Sequence, residues 1–418
     1  MRTLAPLLFA LLLAGCWPPS FLDYQDDAPV QVIERPKSFP LESFGSTMLA
    51  LAEDIDGVRQ ERLLVGSNAE SPVFSFALSD GDVILPSEFE TARLCDAETR
   101  TGDEPCVGAS VGSAIARVDV WGQGELCAAI GGTGDKMVVA CERVAAAKRY
   151  EGSTNSQFGV SVAGIPNEER VLVGSKEDGA FVVQRSSDER VAVDAGDCEV
   201  SASGFGRAVA AAEGFWAVGS TGTQILLVEP DGAGFALLEV PDGAGATLAV
   251  GDVVGDETVD LVSGGAGEVR IWDGDDLAGA EDCDDVAPAE SLTCKDYSAR
   301  SIECGGEFGA SLAIGDINDD GAADLLVGDP SATVSGHGRA GTAFVYDGDE
   351  LGPVAADALT DSQPEDDAEV GRSVAVGSVL GRGEAVAGSR GEVFFFFCSD
   401  LAGDRPGSPG LDGCRPRP

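Results

Sequence analysis

Phe308-Gly309-Ala310-Ser311-Leu312-Ala313-Ile314-Gly315, the acidic loop Asp316-Ile317-Asn318-Asp319-Asp320-Gly321-Ala322-Ala323, and Asp324-Leu325-Leu326-Val327-Gly328-Asp329 form the clearest unit of a pattern that runs through this chain. Two short apolar runs around a polar loop predict a pair of strands. The layout recurs. Phe44-Gly45-Ser46 leads to Leu63-Leu64-Val65-Gly66-Ser67, and Phe158-Gly159-Val160-Ser161-Val162 leads to Val171-Leu172-Val173-Gly174-Ser175. Phe205-Gly206-Arg207-Ala208-Val209 leads to Trp216-Ala217-Val218-Gly219-Ser220. Weaker copies start at Val111-Gly112-Ser113, Ala244-Gly245-Ala246 and Val370-Gly371-Arg372. The glycines that open the seven copies fall at 45, 112, 159, 206, 245, 309 and 371, at spacings of 67, 47, 47, 39, 64 and 62 residues. Propeller blades of four strands repeat at about 40–50 residues, and inserted loops lengthen them.

A third strand is visible in Gly341-Thr342-Ala343-Phe344-Val345-Tyr346 and in Glu268-Val269-Arg270-Ile271-Trp272, each followed by an Asp-Gly turn. Several strands are apolar on both faces, as in Leu325-Leu326-Val327 and Phe394-Phe395-Phe396-Phe397. A sheet with one wet face would alternate, whereas a blade packed between two neighbours is dry on both sides. The expected fold is therefore all-β, a seven-bladed β-propeller of four-stranded antiparallel blades.

The F-G, small-residue strand, G-[SD] pattern with an acidic loop between strands resembles the FG-GAP repeat of integrin α-subunit propellers. The copies run from about residue 40 to 398. The segment from Phe21-Leu22-Asp23 to Ser38-Phe39-Pro40 is similar to the one that precedes the first repeat in that family. The resemblance implies that an N-terminal strand closes the ring on the last blade. Copies two, five and seven depart from the family in lacking the phenylalanine.

The first residues read as a leader. Arg2 is followed by an apolar run from Leu7 to Leu13, too short to span a bilayer, and then by Ala14, Gly15 and Cys16. Leu13-Ala14-Gly15-Cys16 resembles the lipobox of bacterial lipoprotein precursors, which implies lipidation of Cys16 and cleavage before it. Trp17 in place of aspartate points to the outer membrane within that family. The expected organisation is a signal peptide over 1–15, then a lipidated N-terminus, stalk and ring-closing strand over 16–38. The repeat array follows over 39–398, and a tail over 399–418. No later segment approaches the ~20 apolar residues of a membrane helix, so the membrane is met only through the lipid.

With 72 acidic against 27 basic residues the formal charge is −45, which repels phosphate backbones and excludes nucleic acid as a natural partner. Hydrophobic residues make up 44%, enough to exclude wholesale disorder. Of 11 cysteines, Cys16 is assigned to lipid, and the remaining even number in an exported chain predicts disulfides. Near neighbours suggest Cys95 with Cys106, Cys127 with Cys141, Cys283 with Cys294 and Cys398 with Cys414, leaving Cys198 and Cys304. Sequence does not fix that connectivity.

The loop after Ile314-Gly315 fits D-x-[DN]-x-[DN]-G-x-x-D. Asp316, Asn318 and Asp320 converge on a hard cation, Gly321 allows the turn, the Ala322 carbonyl adds a ligand and Asp324 closes the shell. Oxygen donors at this spacing suit Ca²⁺. The fifth copy keeps Asp252, Asp256 and Asp260 but has Val254 and Glu257 at positions three and six, a weaker possible metal site. The first copy keeps only Asp54 and Asp56, with Arg62 replacing the closing acid.

No catalytic residue stands out. The one histidine, His337, lies in a loop-like stretch, and no P-loop, dinucleotide fingerprint or G-x-S-x-G elbow is present. Two classes of function remain. One is a calcium-stabilised binding or adhesion module for a protein or glycan. The other is a glycan-active hydrolase or lyase on a propeller scaffold, with an envelope assembly scaffold as a less specific option.

Overall fold

A computed structural model describes residues 31–34, 44–55, 58–67, 73–79, 82–84, 111–119, 126–132, 134–141, 148–164, 170–184, 189–196, 198–200, 204–280, 283, 286–296, 301–317, 321–348, 351–353, 355, 357–377 and 384–397. Cys16, the leader and the C-terminal tail lie outside the described residues.

Five successive stretches each fold into one antiparallel sheet whose four strands pair in chain order. Blade 1 comprises Phe44–Ile55, Val58–Ser67, Phe74–Ser79 and Asp82–Ile84, and blade 2 comprises Val111–Asp119, Leu126–Gly132, Lys136–Cys141 and Lys148–Glu151. Blade 3 is Phe158–Gly164, Arg170–Ser175, Gly179–Gln184 and Arg190–Ala192. Blade 4 is Ala208–Ala211, Trp216–Gly219, Gln224–Val228 and Gly234–Glu239. Blade 5 is Thr247–Gly251, Asp260–Gly265, Glu268–Trp272 and Glu290–Thr293, with a short helix, Gly274–Ala278, after its third strand.

Blade 6 is Ser311–Gly315, Asp324–Asp329, Thr342–Tyr346 and Asp357–Leu359. Its second and third strands are separated by Thr333–Val334, which pairs outside the blade with Ile302–Glu303. The last sheet is composite. Ser373–Gly377, Glu384–Gly388 and Glu392–Phe397 take their outer strand from Gln31–Glu34, which pairs antiparallel with Glu392–Phe397. The expected seven-bladed propeller is thus corrected to six blades drawn from single stretches, beside one composite sheet that the N-terminal strand completes as the resemblance implies. First strands neighbour one another in sequence, and that of blade 1 also neighbours Ser373–Gly377, so the chain is a closed β-propeller. Closure gives every blade a neighbour on both faces and leaves only short strands as sheet edges.

The doubly apolar strands are buried on both faces. Leu325 and Val327 join the core shared with blade 5, while Leu326 joins the core shared with the composite sheet. The phenylalanine run divides in the same way: Phe394 and Phe396 face blade 6, and Phe395 packs with Phe44 and Leu63 of blade 1. A strand's period of two thus distributes one apolar run between two interfaces, each such side chain contributing roughly 1.5–3 kcal/mol.

The paired glycines of the motif meet across those interfaces. The Gly309 carbonyl of blade 6 lies against Gly264 of blade 5, where an added Cβ would come within 2.5 Å of it. Gly206 covers Gly174, Gly371 covers Gly328, and Gly45 covers Gly388 in the same way. The covering glycines hold positive φ, +84° at Gly309 and +79° at Gly45, which turns the carbonyl toward the neighbour. A hydroxyl on the covered blade then donates to that carbonyl: Ser161 to Gly206 at 3.0 Å, Thr247 to Gly309 at 2.7 Å and Ser311 to Gly371 at 2.7 Å. Ser373 donates to Gly45 at 2.6 Å, which latches the composite sheet to blade 1.

Candidate functional site

Blade 6 carries the acidic loop between its first two strands. Part-buried Asp316 accepts a hydrogen bond from the Gly321 amide at 3.0 Å, and Gly321 has φ +98°, the turn that its place in the motif requires. Asp324 is fully buried. Its Oδ2 accepts from the Ile317 amide at 2.8 Å and its Oδ1 from the Gly348 amide at 3.2 Å, in the turn after the third strand. Ile317 itself is buried among Leu326, Val345 and Phe394, so both ends of the loop are pinned to the interface with the composite sheet. Asn318, Asp319 and Asp320 lie outside the described residues. Among the described residues no three His, Cys, Asp or Glu side chains gather to hold a metal ion.

Blade 5 repeats the frame. Asp260, fully buried, accepts from the Val253 and Val254 amides at 2.8 and 2.9 Å and from the Gly274 amide at 3.0 Å. It is the counterpart of Asp324, and burial pushes its carboxyl up from the ordinary aspartate value. Asp252 accepts from the amides of Gly255, Asp256 and Glu257 at 2.8, 3.2 and 3.0 Å. Asp256 accepts from the Thr258 hydroxyl and amide, and the hydroxyl bond leads in holding its carboxyl below the usual range. The loop's own amides therefore occupy acceptor sites of Asp252 and Asp260. Glu257, at the position of Gly321, keeps the left-handed turn with φ +72°, a conformation costly for a side-chain-bearing residue.

His337 is exposed, with Nδ1 3.5 Å from Asp366 Oδ1, and sits in a turn closed by the Val334 amide on its carbonyl at 3.1 Å. The disulfides within the described residues are Cys198–Cys283 and Cys294–Cys304. The suggested pairing of Cys283 with Cys294 is corrected, and with it Cys198 with Cys304. After the short helix the chain folds back so that the Cys283 amide bonds the Phe235 carbonyl at 2.9 Å, which brings it over blade 4 and Cys198. Cys304 is turned toward Cys294 by Asp296, which accepts its amide at 3.0 Å. The strand register places Cys127 opposite Cys141 in blade 2. Cys95, Cys106, Cys398 and Cys414 lie outside the described residues.

Two further clusters lie away from the acidic loops, and the motif marks only the first, through the Asp of its closing Gly-Asp. Asp329, buried after the second strand of blade 6, accepts from the Gly305 amide and from Ser331, and burial raises its carboxyl. Glu369, nearly buried, is met by Arg339 at 2.8 Å, Arg390 at 3.0 Å and Arg372 at 3.4 Å. Burial opposes its ionisation, but the three guanidiniums together outweigh that and hold it below the ordinary glutamate value.

The architecture and these loops define the class: a β-propeller of four-stranded antiparallel blades carrying an FG-GAP repeat. The family model of the FG-GAP repeat matches residues 308–346, from the Phe-Gly opening of blade 6 to the last residue of its third strand. No curated protein matches the chain.

Proposed function

We propose that this chain is a cell-envelope lipoprotein, anchored through Cys16, whose propeller is a calcium-stabilised binding module for a protein or glycan. The observation that carries the reading is the coincidence in blade 6 of the FG-GAP match with the acidic loop framed by Asp316, Gly321 and Asp324. The donors fit a hard cation. All are oxygens, and an ionised carboxylate that accepts an amide keeps further lone pairs for a metal. Asp316, Asn318, Asp320, the Ala322 carbonyl and Asp324 would hold the ion. Bound calcium would neutralise carboxylates that otherwise repel one another, and so stabilise the hairpin and its blade.

Melting curves with calcium and with excess chelator test the ion, alongside titration calorimetry on the wild type and Asp316→Asn. Chelation is expected to lower the melting temperature, and Asp316→Asn to remove the binding heat. An unchanged melting curve in chelator sinks the calcium role. Capture of envelope partners by the lipidated protein, compared with Cys16→Ser, tests the module and its anchor separately.

A further inference from the structure

Blades 4 and 5 enclose a cavity of about 730 Å³ at the end of the ring that carries the acidic loops. Its apolar floor is Phe215, Phe235 and Val259, the outer surface of the core that joins the two blades. Its rim is Glu213, Glu229, Glu257 and Asp275, all exposed. None of these four carboxylates is in an ion pair among the described residues. Arg170 reaches this side of blade 4, but its guanidinium donates to the Pro230 carbonyl at 2.9 Å and lies over the Trp216 ring.

We infer that this cavity docks a basic peptide segment of a partner protein, with an apolar side chain on the aromatic floor and lysine or arginine on the carboxylate rim. The inference rests on the binding-module reading and narrows it to one place and one ligand chemistry. Charge complementarity selects the occupant. A second copy of a chain with formal charge −45 would bring like charge to the rim, and an anionic glycan or lipid headgroup would be repelled. The apolar floor separates a peptide from a diffuse cloud of counterions, because simple cations gain nothing from Phe215 and Phe235. Glu257 adds a local sign. It occupies a left-handed position that blade 6 gives to glycine, and it aims a charge at the rim at the expense of backbone ease.

The test is fluorescence anisotropy of the full chain with a labelled five-residue peptide alternating lysine and leucine. The controls replace its leucines by serine or its lysines by glutamate. The lysine–leucine peptide is expected to bind at least about tenfold more tightly than the serine control, since each seated leucine buries apolar area worth more than 1.4 kcal/mol. The glutamate control is expected not to bind. Ala278→Trp, an exposed helix position lining the cavity, fills the space without changing charge and is expected to abolish binding. Glu213→Gln with Glu229→Gln alters only exposed side chains. It is expected to weaken binding several-fold and to flatten its salt dependence, and it keeps the test decisive if the tryptophan variant fails to fold. Equal binding of the serine control, wild-type binding by Ala278→Trp, or no binding of the lysine–leucine peptide overturns the inference. If capture of envelope partners survives any of those results, the module reading stands without this cavity.

Discussion

Gly264→Ala isolates the packing rule that holds the blades together. A methyl at residue 264 would meet the Gly309 carbonyl oxygen at 2.5 Å, Thr247 Oγ1 at 2.8 Å and Gly309 Cα at 3.1 Å, whereas real Cβ contacts essentially never fall under 3.0 Å. Something must yield by at least half an ångström. The carbonyl is poorly placed to do so, because it accepts from Thr247 at 2.7 Å and its own residue's amide is bonded to Gly328 at 3.0 Å. Forcing a methyl into a packed interface costs about 1–3 kcal/mol, and weakening the part-buried hydrogen bond adds about 1 kcal/mol. Alanine also trims the unfolded chain's entropy, which returns about 0.4–1 kcal/mol. The net loss is then about 1–3 kcal/mol. Gly306→Ala is the matched control, since its methyl would meet nothing within 4 Å and its φ is not in the left-handed region. Urea unfolding in calcium buffer should lower the midpoint of Gly264→Ala while Gly306→Ala stays level with the wild type or rises. Equal midpoints for the two variants would refute the claim that the second-strand glycine exists to receive the neighbour's carbonyl.

Ser373→Ala removes the hydroxyl that joins the composite sheet to blade 1 and leaves the Gly45 carbonyl without that donor, so urea unfolding should show a loss of about 1–3 kcal/mol. Glu369→Gln is expected to cost about 1–3 kcal/mol at pH 7, because the charge-assisted hydrogen bond from Arg339 and the ion pairs with Arg372 and Arg390 are weakened. Glu369 has a depressed folded value, so its contribution is complete above the ordinary glutamate value of 4.5 and is lost as pH falls through the folded one. The gap between wild type and variant should therefore narrow in acid, and a gap independent of pH down to complete protonation would contradict the ionised cluster. Removing Cys198–Cys283, with a sequence separation of 85, should cost more than removing Cys294–Cys304, with a separation of 10. Chain entropy predicts about 4.5 against about 3 kcal/mol, which calorimetry of the two double serine variants would compare.

Much of the ring was legible because the repeat marks it in local terms. Phe44, Phe158 and Phe308 with their glycines, the doubly apolar second strands and the Asp-Gly turns each report their own segment's conformation. What the chain does between segments was not legible. Ser161, Thr247, Ser311 and Ser373 stand at one place in their copies, two residues after the opening glycine, but their acceptors belong to other blades. The pairing of Cys283 with Cys294, and with it Cys198 with Cys304, failed for the same reason. Proximity in sequence favoured Cys294 as the partner of Cys283, whereas the fold-back after Gly274–Ala278 carries Cys283 to a blade already passed. In the acidic loops, Val254 and Glu257 set blade 5 apart from the motif that blade 6 carries. That amides would satisfy Asp252 and Asp260 depended on backbone geometry that residue types do not encode.

The two ends of the ring solve the problem of negative charge in different ways. In each blade the loop joining the first two strands opens at one end, and the turn joining the second and third opens at the other. Asp260 and Asp324 stand at the first end and accept hydrogen bonds from amides; the proposed calcium would act there too. Arg372, just before a first strand, and Arg390, in a turn between second and third strands, stand at the other end around Glu369, beside the glycine latches. Scarce cations thus stitch the end where sheets touch most closely, as at Gly371 over Gly328. The loop end is left with Glu213, Glu229, Glu257 and Asp275 facing solvent over an apolar floor. A protein that spent its arginines on that rim would have sealed the cavity with its own salt bridges. Leaving the rim uncompensated is the arrangement a basic partner needs, and it predicts that adding arginine there, as in Glu229→Arg, weakens capture of the lysine–leucine peptide more than Glu229→Gln does.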